Sequence, residues 1–294
     1  MTLSSPTLDA LAAAGADADE VEALCRRALA EDLAGGVDVT STATIPASLM
    51  GTAAFVPRED GVVSGIAVAM ACFDVTGPVT FGHVGTDGPA AKGSTVLEVS
   101  GPVRTLLTAE RSALNLLCHL SGVATLTATW VAAVAGTGAQ IRDTRKTTPG
   151  LRALEKAAVV TGGGRNHRMS LSDAALVKDN HVVAAGGVVQ AFEAVRQQWP
   201  DLDVEVECDT VEQVRQVIAA GADLVLLDNM SLEDLRASVA LCRPAGVRTE
   251  ASGGLSLDRA LAIAQTGVDF LSVGALTHSA PVLDLGLDLI AEGS

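Results

Sequence analysis

A basic segment in the middle of the chain holds most of the residues that could bind an anion. Between positions 142 and 181, eight Lys and Arg residues stand against four Asp and Glu residues, a local charge of +4 in a chain whose total is −15. The rest of the chain therefore carries −19, and three of the four lysines lie in this segment. Several of the basic residues lie among Gly, Pro, Thr and Asn instead of at the helical spacing of a solvated surface. The segment predicts a pocket for a ligand with several negative charges.

Six short apolar segments in the second half of the chain end in polar or charged residues. They cover 140–143, 174–178, 204–207, 224–227, 247–250 and 270–273. In (β/α) barrels the active site is built from the carboxyl ends of several strands. The candidate site residues at these ends are Thr144, Arg145, Lys146, Lys178, Glu207, Asp228, Ser252, Gly253, Gly254, Val273, Gly274 and Ala275.

Three charged residues, Lys178, Glu205 and Glu207, lie inside these apolar segments, where loop exposure does not explain them. Glu205 and Glu207 are two positions apart and therefore share one face of a strand. An unpaired carboxylate that faced the packed helices would be costly. We therefore expect both to face a polar barrel interior, with basic residues as their partners.

Glycine-rich turns predict a site for phosphate. Three glycines at 162–164 precede the sequence that ends in His167 and Arg168, and a Gly-Gly pair follows the fifth apolar segment. Successive backbone N–H groups in such turns can hold a phosphate. Barrels often place their phosphate site in the loops after the last strands, so we expect it at 252–254 and 273–275.

The elements that position these residues form a regular alternation. Amphipathic segments predict helices near 151–161, 187–198, 210–220, 231–242, 256–266 and 284–291. Strands that alternate with helices of this length predict a parallel sheet. No strand is followed by G-x-G-x-x-G and no G-x-x-x-x-G-K-[ST] occurs, so a closed or nearly closed (β/α) barrel is favoured over an open nucleotide-binding sheet.

The first half of the chain has a different pattern. The composition of residues 1–16 predicts irregular structure. The apolar stripe in 17–33 predicts a helix that Asp17 or Asp19 caps. Short apolar stretches and Gly-containing turns over 50–104 are typical of an antiparallel sheet. A long apolar segment over 106–134 predicts one or two helices. We therefore expect two domains, 1–115 and 116–294.

Composition limits the possible partners and location. The 294 residues, 48% of them hydrophobic, can bury a core without disulfides or a structural metal. A pI near 4.6 argues against nucleic acid or an anionic membrane as the main partner. Five scattered cysteines predict reduced thiols, and no segment matches a signal peptide. We expect a cytoplasmic enzyme with no nucleic-acid and no membrane partner.

Three motifs in the basic segment are specific enough to indicate a family. TRKTTPGLRALEK begins at Thr144, TGGGRNHR at Thr161 and ALVKDNH at Ala175. Together they resemble the type II phosphoribosyltransferases, most closely the quinolinate phosphoribosyltransferase family, and the resemblance extends over nearly the whole chain. Ser170 and Val177 stand where this family leads us to expect Gly and Ile, beside the motif residues.

The resemblance implies an α/β fold in which an N-terminal α/β sandwich with an antiparallel sheet precedes an incomplete C-terminal (β/α) barrel. It implies a homodimer with shared active sites, in which Arg111 reaches the pocket of the other subunit. It also implies a pentosyltransferase of de novo NAD synthesis. With Mg²⁺, phosphoribosyl pyrophosphate and quinolinate give nicotinate mononucleotide, pyrophosphate and CO₂.

The arginines in the motifs suit this acceptor. Quinolinate carries two carboxylates on adjacent ring carbons, and planar guanidinium groups bind carboxylates in a bidentate manner. We therefore assign Arg145 and Arg168 to the two carboxylates, with His167 and Lys146 nearby.

The remaining candidates suit the ribosyl donor. Lys178 would act as a point charge on the pyrophosphate or on a substrate carboxylate. Glu207 and Asp228 would bind the ribose hydroxyls and Mg²⁺ and stabilise the cation-like transition state. The expected catalytic residues are Lys146, Lys178, Glu207 and Asp228.

Three alternatives remain open at the level of sequence. A related phosphoribosyltransferase could use nicotinate without decarboxylation, although one carboxylate needs fewer cations than two. A sugar-phosphate lyase could use Lys146 or Lys178 as a Schiff-base amine, which would leave the arginines unexplained. A non-catalytic anion-binding barrel would bind phosphate esters without releasing pyrophosphate.

Overall fold

The computed structural model describes residues 2–291, which form two compact units. The first unit contains the residues up to Leu126, Ala153–Gly162 and the residues from Ala280 onward. The second contains Thr127–Arg152 and Gly163–Ser279. The units are therefore interleaved along the chain, whereas the sequence predicted two continuous domains, 1–115 and 116–294.

The first unit combines helices with small antiparallel sheets. Its elements are α1 (Ser5–Ala13), α2 (Ala18–Leu33), α3 (Val39–Thr44), β1 (Met50–Pro57), β2 (Gly61–Val63), α4 (Ile66–Thr76), β3 (Thr80–Val84), β4 (Gly88–Ala90), β5 (Leu97–Pro102), most of α5 (Val103–Ala133), most of α6 (Arg152–Thr161) and β12 (Leu285–Ala291).

The main sheet of this unit has the strand order β12-β1-β5-β3. Its central strand β1 pairs antiparallel with both neighbours, so that Phe55 lies opposite Leu287 on one side and Leu97 on the other. The buried ring of Phe55 meets the buried ring of Phe73 in α4 edge-on, with 5.7 Å between the centroids. Sheet and helices therefore share one apolar core, and the predicted N-terminal α/β sandwich is confirmed.

Two helices of this unit contradict the sequence prediction, and the short α3 lies where none was made. The sequence assigned all of 50–104 to a sheet, but ten of the eleven residues of α4 are buried. A helix that is buried all round lacks the polar face that marks a surface helix in a sequence. The segment 1–16, expected to be irregular, contains α1, because Ser4 donates from its N–H and its hydroxyl to the buried Asp74 at 2.8 Å each and anchors the helix.

Helix α5 is 31 residues long, and its length and composition alone would allow it to cross a membrane. Within the first unit, however, its side chains Leu106, Leu117 and Leu120 are almost completely buried. Their positions follow the spacing of one helical face. In this unit α5 therefore acts as a core helix.

The second unit is built from alternating strands and helices. Its elements are β6 (Gln140–Arg142), β7 (Ala175–Val177), α7 (Asp179–Ala185), α8 (Val188–Gln198), β8 (Val204–Cys208), α9 (Val211–Ala219), β9 (Leu224–Asp228), α10 (Leu232–Cys242), a 3₁₀ turn (Arg243–Ala245), β10 (Arg248–Ser252), α11 (Leu257–Ala264), β11 (Phe270–Ser272) and α12 (Ala275–His278).

The six strands of the second unit are parallel and follow the order β6-β11-β10-β9-β8-β7. The last strand β11 pairs back onto the first, with Leu271 beside Ile141. Strands β6 and β7 form the two edges of the sheet, so the barrel is open between them. The predicted incomplete (β/α) barrel is confirmed.

The last predicted helix, 284–291, is wrong because this segment forms β12. Leu285, Leu287 and Leu289 recur with the period of two that places side chains on one face of a strand. The intervening Gly286 and Asp288 disfavour a helix interior. Because β12 pairs with β1, the end of the described chain belongs to the first unit.

Candidate active site

A cavity of about 790 Å³ lies at the carboxyl ends of the barrel strands. All six strand ends of the second unit contribute to its lining. Of the predicted site residues, Arg111 stands apart as an exposed residue of α5 in the first unit. The structure brings the other predicted residues together around the cavity: Thr144, Arg145, Lys146, His167, Arg168, Lys178, Glu207, Asp228, Ser252, Gly253, Gly254, Val273, Gly274 and Ala275.

Two guanidinium groups, those of Arg145 and Arg168, line the cavity close enough to repel each other. Burial lowers the pKa of Arg168, and the charge of Arg145 lowers it further. Arg168 donates from Nη1 to the carbonyl oxygen of Ala174 at 2.9 Å, which orients its guanidinium plane. The Nε of Arg145 is buried and has no hydrogen-bond partner among residues 2–291. Buried donors are normally satisfied, so this N–H is an unpaired donor beside the cavity.

Lys178 precedes α7 and forms an ion pair with the end of β8. Its Nζ lies 3.0 Å from Oε2 of Glu207, with the lysine side chain 50% exposed and the glutamate side chain only 9% exposed. The backbone N–H of Lys178 donates to Nδ1 of His181 at 2.9 Å, which fixes the main chain at the start of α7. The amine is therefore held at the cavity on a side chain that is half exposed.

Three carboxylates at the ends of β8 and β9 could hold a divalent cation. Ligand oxygens of Glu207, Asp209 and Asp228 all lie within 4.8 Å of one another. Asn229 donates from Nδ2 to Oδ2 of Asp228 and orients this carboxylate. Carboxylate oxygens are the ligands that Mg²⁺ prefers. The sequence predicted Glu207 and Asp228 for this role, and the structure adds the exposed Asp209.

A second cluster of charged groups is buried among the barrel strands. Nε2 of His167 lies 2.7 Å from Oε2 of Glu205 and 3.6 Å from Oε1 of Glu250. Arg142 pairs through Nη1 with the other oxygen of Glu250. Glu205 therefore faces the barrel interior, as expected from its place in an apolar strand.

Burial raises the pKa of both Glu205 and Glu250 to about 7 from an ordinary value of 4.5. For Glu250 the charge of Glu205 adds to the rise, and Arg142 opposes it for both carboxyls. The folded chain therefore keeps these protons to a higher pH than the unfolded chain. The contribution of the two carboxyls to stability consequently falls as the pH rises from about 4.5 to about 7.

Several residues that line the cavity were not assigned to it from the sequence. The polar ones lie near the carboxyl end of a strand or shortly after it: Asp179, Asn229, Glu250, Ser272 and His278. Proximity to a strand end could have identified these five. Leu176 and Leu226 add apolar surface, but an apolar residue in a strand gives no chemical signal of a binding site.

Glycines in the last two loops leave room for these side chains. Gly253 has a φ of 88°, and a Cβ there would overlap the side chain of Asn229 and lie 2.8 Å from its backbone nitrogen. A Cβ at Gly274 would lie 3.0 Å from Cδ of Lys146. Side chains at either position would therefore displace residues that line the cavity.

We predict that Gly253→Ala lowers kcat/KM by about 10- to 100-fold, because the new Cβ displaces the loop that carries Asp228 and Asn229. Gly246→Ala is the matched control. Gly246 also has a positive φ, 73°, but a Cβ there meets no atom within 4 Å. The control is expected to lose about 1 kcal/mol of stability and to keep its activity. Steady-state kinetics on both variants test this, and equal activities would contradict it.

Comparisons with known proteins agree with this geometry. The family model of the quinolinate phosphoribosyl transferase N-terminal domain matches residues 38–121, and that of the C-terminal domain matches 123–288. The chain is 51% identical over 270 residues to a carboxylating nicotinate-nucleotide pyrophosphorylase from Mycobacterium leprae, covering 90% of this chain and 95% of the relative. It is 42% identical over 267 residues to a probable enzyme of the same name from Synechocystis, covering 89% of this chain and 90% of the relative.

Solved structures show the same fold. The nicotinate-nucleotide pyrophosphorylase from Francisella tularensis superposes with a TM-score of 0.88 at 38% identity, covering 92% of this chain and 96% of that one. NadC from Streptococcus pyogenes superposes with a TM-score of 0.86 at 39% identity, covering 91% of this chain and 95% of that one. Human nicotinic acid phosphoribosyltransferase, at 13% identity and a TM-score of 0.62, shares the fold alone. The chain therefore belongs to the quinolinate phosphoribosyltransferase family.

Proposed function

We propose that this protein transfers the phosphoribosyl group of phosphoribosyl pyrophosphate to the ring nitrogen of quinolinate and removes one carboxylate as CO₂, giving nicotinate mononucleotide and pyrophosphate. The observation that carries the proposal is that the cavity brings together two kinds of charged group. Arg145 and Arg168 supply guanidinium groups for a dicarboxylate. Glu207 and Asp228 also line the cavity and, with the neighbouring Asp209, supply the oxygens that a metal-bound sugar phosphate requires. Family membership supports the same reaction.

Acceptor binding is assigned to the arginines. The buried Nε of Arg145 lacks a partner among the described residues, and a carboxylate oxygen of the acceptor would satisfy it. Two guanidinium groups that repel each other are stabilised when a dianion binds between them. Lys146, beside Arg145 in the chain, lines the same cavity and adds a third positive charge.

Ribosyl transfer is assigned to the carboxylates of the cavity and to Lys178. As the bond to pyrophosphate breaks, positive charge develops on the ribose, and the carboxylates of Glu207 and Asp228 stabilise it. Lys178, now paired with Glu207 at 3.0 Å, offers its half-exposed amine to the pyrophosphate or to a substrate carboxylate. The glycine-containing segments 253–254 and 274–275 offer backbone N–H groups to the phosphates, whereas the N–H of Val273 donates to the carbonyl oxygen of Arg142 at 2.9 Å.

Mg²⁺ fits the residues that are present. Glu207, Asp209 and Asp228 would hold it, because their oxygens cluster within 4.8 Å. When bound, the ion neutralises pyrophosphate charge and makes pyrophosphate a better leaving group. The positions of Glu207 and Asp228 in the predicted metal site stay a proposal, to which Asp209 is added.

Decarboxylation follows from the product of the first step. Ribosylation leaves a positive charge on the ring nitrogen, so the electron pair of the adjacent carbon–carboxylate bond can remain on the ring when CO₂ leaves. The ring carbon then takes a proton from solvent, and the charges balance without a dedicated protein acid. The residues of the cavity mainly position the acceptor and stabilise charge in this step.

A homodimer with shared sites completes the proposal. Arg111 is exposed on α5 and belongs to the first unit, whereas the cavity is lined by residues of the second. It is therefore available to reach the cavity of a partner subunit, as the family resemblance implies. The five free cysteines and the acidic composition support a cytoplasmic location without nucleic-acid or membrane partners.

The reaction is tested by incubating the pure protein with Mg²⁺, phosphoribosyl pyrophosphate and either quinolinate or nicotinate, and by measuring pyrophosphate and CO₂. We expect equal amounts of both products from quinolinate and almost no pyrophosphate with nicotinate. Pyrophosphate release with nicotinate alone would favour the transferase that does not decarboxylate. Binding without turnover would favour an anion-binding barrel, and an adduct trapped by borohydride would favour a Schiff-base lyase.

Shared sites are tested by mixing two inactive variants, Arg111→Ala and Lys178→Ala, under conditions that allow subunits to exchange. If Arg111 serves the partner, each mixed dimer has one intact site, and random exchange restores about a quarter of the wild-type activity. A double variant that carries both changes, mixed with either single variant, is the control and stays inactive. A mixture of the single variants that stays inactive after exchange would show that Arg111 does not act across the dimer.

A further inference from the structure

Two buried carboxyls, Glu205 and Glu250, have no role in the reaction as proposed above. Both are almost completely buried, with 3% and 0% of their surface exposed. Each also has one oxygen, Oε1, without a hydrogen-bond partner among the residues that the structure describes. Burying carboxyls in this way is costly, so their retention in the barrel calls for a function.

The imidazole of His167 is the group that these carboxyls contact. Its Nδ1 accepts the backbone N–H of Arg168 at 2.7 Å, so this nitrogen carries no proton. The proton of the neutral ring is therefore on Nε2, from which it is donated to Glu205 at 2.7 Å. Both ring nitrogens are thus used within the protein, and the ring is fixed in one tautomer and one orientation.

The main chain at the same position is fixed as well. The backbone N–H of His167 donates to Oδ1 of the buried Asp143 at 2.8 Å. Together with the bond from Arg168 to the ring, this contact ties the two residues to the end of β6. Arg168 follows directly, and its guanidinium faces the cavity.

Glu250 closes the cluster on its other side. It accepts from Arg142, whose guanidinium lies over the ring of Phe270 with 4.6 Å to the centroid. Its second oxygen is 3.6 Å from Nε2 of His167. Residues of β8 and β10 therefore face a single imidazole, and residues of β6 and β11 support Glu250.

We propose that Glu205 is a positioning residue for the acceptor site. It accepts a hydrogen bond from Nε2 of His167 and so fixes the imidazole ring. The fixed ring accepts the backbone N–H of Arg168 and thereby holds the Arg168 guanidinium toward the acceptor dicarboxylate. Glu250, held by Arg142, supports the same ring. The inference rests on the acceptor site proposed above. In this conformation His167 therefore supports Arg168 and does not form a hydrogen bond with the substrate.

Binding of a metal ion is a weaker explanation of the cluster of His167, Glu205 and Glu250, although their ligand atoms lie within 4.8 Å of one another. The charge around Glu205 opposes a cation, because positive side chains act on this carboxyl from several elements. These side chains are Arg142, Arg168, Lys178 and Arg248.

The test compares Glu205→Gln with Glu205→Leu. Gln retains an oxygen that can accept from Nε2, whereas Leu has a similar volume and no acceptor. We expect Leu to raise the KM for quinolinate at least about tenfold, as expected for the loss of a buried hydrogen bond, with little change in the KM for phosphoribosyl pyrophosphate. Gln should largely restore the wild-type KM for quinolinate.

Thr249→Val is the control for general damage to the barrel. Thr249 is buried beside Glu250 in the chain and donates from Oγ1 to Asp269 at 3.0 Å, away from the cavity residues. Thr249→Val is expected to lower Tm without changing the KM for quinolinate relative to the KM for phosphoribosyl pyrophosphate. If Glu205→Leu behaves in the same way, Glu205 only supports the fold and the proposal fails. If Glu205→Gln lowers the KM for quinolinate well below the wild-type value, the carboxylate acts by charge repulsion and the proposal also fails.

A spectroscopic measurement tests the tautomer without turnover. The chain contains five histidines, so selective ¹⁵N-histidine labelling gives few ring signals, and His167→Asn assigns those of His167. We expect the Nε2–H tautomer in the wild-type protein and in Glu205→Gln, and a mixture of tautomers in Glu205→Leu. An unchanged His167 spectrum in Glu205→Leu would overturn the proposal even if the protein proved to catalyse a different reaction.

Discussion

The barrel of this protein depends on partners for the ionisable groups that are buried or half-buried inside it. Glu205 and Glu250 would be strongly unfavourable among apolar strands without the imidazole and the guanidinium that contact them. Glu207 is likewise paired with Lys178. Because a buried ionisable group needs a hydrogen-bond donor or an opposite charge close by to offset its desolvation, these contacts determine which side chains point inward.

The same pairing explains why the cavity attracts anions in an acidic protein. The buried carboxyls accept from His167 and Arg142, whereas Arg145 and Arg168 face the cavity without carboxylate partners within hydrogen-bonding distance among the described residues. A local excess of positive charge thus remains at the carboxyl ends of the strands, while the rest of the chain is negative. Acids line the cavity as well, among them Glu207, Asp228 and Glu250.

Much of this arrangement could be predicted from the sequence because it follows local rules. Parallel strands that alternate with amphipathic helices have a recognisable period, and polar residues at strand ends indicated the cavity. Helix α4 could not be predicted in this way, since a segment buried on all sides has no period. Strand β12 was mistaken for a helix although its leucines recur with the period of a strand. Its partner β1 lies more than 200 residues earlier in the chain, so the pairing itself could not be identified from the local sequence.

The details of the site also depend on contacts between distant residues. That Glu205 would face the interior follows from its place in a strand, but its contact with His167 requires the turn after 162–164 to fold back over the barrel. His278 and Asp209 lie after strands and carry suitable groups, yet their spacing from the other site residues is not periodic. The sequence therefore indicated the chemistry of the cavity more completely than its geometry.

We expect the guanidinium pair to make this cavity selective for two adjacent carboxylates. The most direct measurement is the Kd of quinolinate and of nicotinate by isothermal titration calorimetry, for the wild-type protein and for Arg168→Gln. We predict that the wild type binds quinolinate at least about tenfold more tightly than nicotinate, since a second charge-assisted contact contributes on the order of 1.5 kcal/mol or more. The variant should lose most of this preference. Equal affinities for the two ligands in the wild-type protein would contradict it.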